Sequence, residues 1–174
     1  MNSVVKYGVI CAAASIVLST ILYVIGPEVF IDVGGWLSLV IIGLYVYFGL
    51  ELRKENGGYF TFGQAFKSLF TMMIVSGVIS TVYRWLLFNV FDTNLGANIK
   101  DIMMERLEAE YEKAGMDPDA MEMALSFMDE WEFGMNMNGI NTGITIVSVV
   151  IGSLILAAII GAIIKKKNPQ EFDF

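Results

Sequence analysis

A chain of 174 residues has the length of one ordinary domain, yet 56% of it is hydrophobic, 17% is charged and its mean hydropathy is +0.63, more apolar surface than a soluble core of this size can hide. The net charge of -7 is concentrated, because 12 of the 18 acids fall between Asp92 and Glu132 while the rest of the chain is slightly basic. With no histidine and one cysteine, the chain lacks the commonest general base and imidazole ligand and can form no internal disulfide.

In chain order, the first apolar stretch runs from about Tyr7 to Ile25 and stops at Gly26, Pro27 and Glu28. It contains GVICAAAS, but Lys6 alone makes a poor charged leader and Ile10 is too large to precede a lipoprotein cleavage site. The stretch therefore reads as a retained span, with Cys11 a small packing residue. The connection GPEVFID leads to a second span, from near Val33 to Leu50, ended by Glu51, Arg53, Lys54 and Glu55. A third span covers Phe62 to Phe91, with Lys67 near one end and Arg84 near the other, and a fourth runs from about Ile140 to Ile164 before Lys165, Lys166 and Lys167. A bilayer needs roughly 20 residues of helix at 1.5 Å rise each, and four such helices would need a far larger soluble protein to cover them. The expected architecture is an all-α, integral membrane four-helix bundle with an acidic helical hairpin outside the cytoplasm between spans three and four. Its parts are spans one to three at 1–91, the hairpin at 92–139, and the fourth span with a basic tail at 140–174.

Charge bias orients the spans. Lys6, the cluster Arg53, Lys54 and Lys67, and the terminal lysines can all be cytoplasmic together, while GPEVFID carries no basic residue and 92–139 is strongly acidic. Both termini are then cytoplasmic, in a multi-pass protein of the bacterial inner membrane.

The stretch GGYFTFGQAFK, residues 57 to 67, is where the chain returns to the membrane. Its glycines and Gln64 could cradle a ligand, but Tyr59, Phe60, Phe62 and Phe66 suit the headgroup layer and Lys67 can extend its ammonium to water. Tyr83, Arg84 and Trp85 repeat the pattern 17 residues on from Lys67, so an anchor is the preferred reading of both cations. Gln64 is the least explained of the group, and a lone amide in a membrane usually bonds a neighbouring helix. Gln64, Lys67 and Arg84 are the candidate functional residues.

The segment GGYFTFGQAFKSLF, with KYG at the start of the first span and four spans overall, resembles domain of unknown function 4199, small membrane proteins found chiefly in Bacteroidetes. Gly57, Gly58, Phe62, Gly63, Gln64, Ala65, Phe66 and Lys67 occupy the positions of that family's motif. The resemblance implies an integral membrane protein of unassigned activity and brings no catalytic residue, cofactor or substrate.

Small residues form stripes: Gly8, Ala12, Ser15 and Ser19 in the first span, Ser76, Gly77, Ser80 and Thr81 in the third, and Ser153, Ala157 and Gly161 in the fourth. Such stripes let helix backbones approach, within one bundle by preference, or else with a second copy or another envelope protein. In the acidic segment Ile99, Met103, Leu107, Tyr111 and Ala114 recur at helical spacing, as do Met121, Ala124, Met128 and Trp131, with Gly115 and Asp117–Pro118 between them. Eight of the 11 methionines lie here, including Met135 and Met137, but without histidine they read as packing residues rather than a copper site. The acids lack calcium-loop spacing, and no metal, cofactor or nucleic acid is expected.

No nucleophile elbow, phosphate loop or dinucleotide motif is present, and Glu130 with Glu132 reads as solvated acids rather than an acid–base pair. The expected function is non-enzymatic: a structural, accessory or partner-binding component of the envelope whose surroundings are the lipid bilayer. The alternative is a small transporter or channel with a cation-gathering acidic cap, although no span carries an acid at its middle.

Overall fold

The computed structural model describes residues 2–130 and 139–167, the side chains of 125 and 127–130 excepted. The expectations placed on Met128, Glu130, Trp131, Glu132, Met135 and Met137 lie outside the described residues. The chain is all-α: α1 (Ser3–Ile25), α2 (Pro27–Glu55), α3 (Phe62–Leu86) continued by a π-helical turn (Leu87–Phe91), α4 (Leu95–Lys113), α5 (Pro118–Glu130) and α6 (Gly139–Ile164). Four of these are long and apolar enough to cross a membrane: α1, α2, α3 with its π turn, and α6.

The joints follow from local chemistry, in one place against expectation. GPEVFID is not a loop, because only Gly26 lies outside the helices and α2 starts at Pro27. Gly26 takes φ 142°, a conformation open to glycine, and Pro27 brings a preset φ to the first helical position, where its missing N–H costs nothing. Between α2 and α3, Gly57 and Gly58 take φ 76° and 85°, and the Gly58 N–H donates to Arg53 O at 2.9 Å, closing the end of α2. Gly115, at φ 65°, ends α4 in the same way, and Asp117 Oδ1 accepts from the Asp119 N–H at the start of α5.

Seven of the 11 basic residues, Lys6, Arg53, Lys54, Lys67 and Lys165 to Lys167, lie at one end of the bundle. There Tyr7 of α1 donates to Glu55 of α2 (2.7 Å), and Arg53 donates to Ile164 O at the end of α6 (3.1 Å). Phe60 and Lys166 pair through both backbone hydrogen bonds at 2.8 Å, and Lys166 sits over the Tyr59 ring.

The glycines of the small-residue stripes lie against neighbouring helices inside the chain. A Cβ added to Gly8 would lie 2.8 Å from Met72 O, one on Gly77 would run into Val149 Cγ1, and one on Gly161 would lie 3.3 Å from Phe66 N. Cys11, Ala12 and Ala157 are fully buried. The main core lies toward the basic end and includes Cys11, Tyr45, Leu69, Met72, Ala157 and Ile164. A second cluster occupies the opposite end, where Leu95 and Ile99 of α4 pack with Leu87 and Phe88 of the π turn against Tyr23, Phe30, Ile31 and Tyr83. Of the apolar seam expected on α4, Ile99 is buried, Met103, Leu107 and Tyr111 are half-buried and Ala114 is exposed. Arg106 pairs with Asp32 of α2, and this hydrogen-bonded carboxylate raises the guanidinium pKa above its ordinary value.

Candidate functional site

The three candidate residues have different surroundings. Gln64 is exposed and does not reach a neighbouring helix in the hydrogen bonds it makes. Its Oε1 accepts from the Thr61 N–H at 3.0 Å, while Thr61 Oγ1 accepts from the Gln64 N–H at 3.3 Å. This reciprocal capping box satisfies two backbone donors at the start of α3 and gives Gln64 a structural task. Its signature, Thr-x-x-Gln in TFGQ, was present in the sequence. Lys67 is exposed one turn further on, beside the stacked rings of Phe62, Phe66 and Phe70.

Arg84 does not repeat the arrangement at Lys67. It is half-buried, lies 5.9 Å from the Phe88 ring, and lines a cavity of about 400 Å³ walled by α1, α2, α3 and α6. The volume is that of a small-molecule site. Hydroxyls come from all four helices: Ser15 and Ser19 on α1, Ser38 on α2, Ser80 and Thr81 on α3, and Thr145 on α6. The remaining wall is apolar or glycine and includes Leu18, Phe30, Gly34, Leu37, Ile41 and Val149; among the described residues no acid lines it.

Helix geometry explains the cavity. Along α1 and α3 the small-residue stripes begin at the basic end with tight contacts, Gly8 on Met72 and Val75, and continue toward the other end as serines and a threonine. Antiparallel pairing of α3 with α6, which sets Gly77 against Val149 and Gly161 against Phe66, brings Thr145 to the level of Thr81. On α2 the buried residues are Tyr45, Gly49 and Leu52, all in its second half, and the cavity lies beside the stretch before them, from Phe30 to Ile41. The main core, with Tyr45 and Ser76 buried, lies on the basic side of the cavity, and the cluster around Leu87 and Phe88 lies on the other.

Two side-chain contacts brace the rim. Thr20 Oγ1 donates to Ile16 O (2.7 Å), so Tyr83 is the donor in its 2.6 Å contact with Thr20, and Tyr23 donates to Asp92 at 3.3 Å. Ser38 and Thr145 donate to carbonyls of their own helices, at Gly35 (2.5 Å) and Asn141 (2.8 Å), the local bonding that a hydroxyl within a helix commonly makes. Sequence reasoning found Arg84 but not the cavity, whose walls come from four helices and carry no local motif.

The fold and this cavity define a four-span, all-α membrane protein with a cationic, hydroxyl-lined chamber between its helices. Residues 6–166 match the family described as "Protein of unknown function (DUF4199)", and the chain belongs to that family. No curated protein and no solved structure matches the chain.

Proposed function

We propose that this is a non-enzymatic, multi-pass protein of the bacterial inner membrane, with both termini in the cytoplasm, that works by holding a ligand in the cavity beside Arg84. The carrying observation is the placement of a permanent cation on a polar wall shared by four apolar helices. A charge within a spanning segment is costly, and it is retained where it faces an internal polar space. Support for the inner membrane and for cytoplasmic termini comes from the collection of Arg53, Lys166 and their neighbours at one end of the bundle. The acidic helices α4 and α5 belong to the opposite side in this reading and offer a surface to an envelope partner.

The test uses two glycines on α2. A Cβ on Gly34 or Gly35 would meet no heavy atom within 4 Å, but only Gly34 lines the cavity. Gly34→Phe should fill the space and abolish complementation of a deletion strain while the protein still inserts and melts cooperatively in detergent. Gly35→Phe should complement. Full complementation by Gly34→Phe would remove the cavity from the function.

A further inference from the structure

Resting on the cavity as the working site, we propose that it takes an uncharged amphiphile, an apolar body with a hydroxyl- or carbonyl-bearing end, such as a monoacylglycerol or a long-chain alcohol. The chamber has unlike walls. From α2 come Phe30, Gly34, Leu37 and Ile41, together with Ser38, whose hydroxyl is already bonded to Gly35 O. From α3 come Gly77, Ser80, Thr81 and Arg84, with no apolar side chain among them. Ser15 and Ser19, four apart on one face of α1, add two more hydroxyls to the same space. Among the described residues none bonds to the hydroxyls of Ser15, Ser19, Ser80 or Thr81, although Thr81 is only 6% exposed. A hydroxyl without a partner between apolar helices is costly, and a ligand that brings a hydroxyl or carbonyl to it removes that cost.

The same lining disfavours charge on the ligand. An ion brought into a space of low dielectric requires a partner for its charge. No acid lines the cavity among the described residues, and Arg84 has interactions of its own within the chain, so neither sign finds a free counter-charge. Hydroxyls both donate and accept, which suits a neutral end group with oxygens of either kind. Leu18 and Leu22 of α1 and Val149 of α6 extend the apolar wall, and burial against it favours a hydrocarbon body over a small polyol.

Binding is measured on the full chain in phosphatidylcholine nanodiscs, with a monoacylglycerol that carries a photoreactive diazirine in its chain. Labelling should be saturable, and the labelled peptides should be those that line the cavity. Excess unlabelled monolauroylglycerol should displace the probe, whereas dodecane, glycerol and dodecyl phosphate should each displace it roughly tenfold less well or worse. Ser80→Ala with Thr81→Val should weaken the probe about tenfold, the loss expected for two hydrogen bonds, and Gly35→Phe should leave it unchanged. If the α3 pair does not fold, Ser15→Ala with Ser19→Ala should weaken the same probe. Labelling that never saturates, or unchanged affinity in the folded variants that lack these hydroxyls, would overturn the proposal. So would displacement matching that of monolauroylglycerol by dodecane, which marks a purely apolar ligand, by glycerol, which marks a polar solute, or by dodecyl phosphate, which marks an anion. If any of these occurs while Gly34→Phe still abolishes complementation, the cavity remains the working site and only the uncharged amphiphile is lost.

Discussion

Gly8 shows how tightly single positions are specified where helices meet. Its missing side chain lets α1 approach the backbone of α3, since a Cβ there would come within 2.8 Å of Met72 O and 3.0 Å of Val75. The obstacle is backbone, so it cannot swing aside as the end of a flexible side chain could. Gly8→Ala should destabilise the bundle by about 1–3 kcal/mol, the usual cost of overpacking, read as a lower midpoint in detergent melts. Gly43→Ala is the control: its Cβ would meet nothing within 4 Å, and the exchange should be neutral or slightly stabilising. The sequence showed Gly8 as a member of a small-residue stripe, but not that Ser15 and Ser19 of the same stripe would line a chamber. Helical spacing places residues on one face without saying where the facing helix diverges. Arg84 was ambiguous for the same reason, because a cation near a helix end can turn toward lipid headgroups or inward, and the neighbours that decide it lie on other helices.

At the scale of elements, hydropathy located all four spans, and turn chemistry located the break between α4 and α5 at Gly115 and Asp117. Two features escaped it. Glu28 and Asp32 made GPEVFID resemble a connection, whereas a helix end outside the hydrocarbon layer accepts acids readily, and Glu28 in the first turn suits the helix dipole. The π turn at Leu87–Phe91 was equally hidden, since it continues an apolar run and is closed by a backbone bond from the Asp92 N–H to Leu87 O (2.9 Å). That turn supplies the platform for α4: Leu95 is 2% exposed and packs with Leu87 and Phe88, while the Arg106–Asp32 pair holds the helix further along. The exposed ion pair is the weaker restraint, so apolar burial carries the docking. Leu95→Ala should cost about 2–5 kcal/mol at this contact. The expected readout is faster proteolysis within α4 in detergent, with the fragment containing α1 to α3 still protected. A protection pattern unchanged from wild type would show that α4 is held by other contacts.

For the whole molecule, the orientation in the membrane rests on charge, and the fold provides a clean way to measure it. Lys6, Arg53, Lys54, Lys67 and Lys165 to Lys167 belong to the end tied together by the Tyr7–Glu55, Arg53–Ile164 and Phe60–Lys166 bonds, whereas α4 packs at the other end on the π turn. Retention of lysine and arginine on the cytoplasmic side then predicts that Lys113, at the end of α4, faces away from the cytoplasm. The single native cysteine, Cys11, is fully buried in the core and is shielded from an aqueous maleimide while the protein stays folded. Introduced cysteines can therefore be followed without removing it. Lys113→Cys and Lys54→Cys both replace exposed lysines at opposite ends of the bundle. In intact spheroplasts a membrane-impermeant maleimide should label Lys113→Cys and leave Lys54→Cys unlabelled, and permeabilisation without denaturation should expose both. Wild-type protein should remain unlabelled in either condition. Labelling of Lys54→Cys alone before permeabilisation would invert the molecule, placing the basic end outside and the acidic helices in the cytoplasm, and a partner for α4 and α5 would then have to be sought on that side.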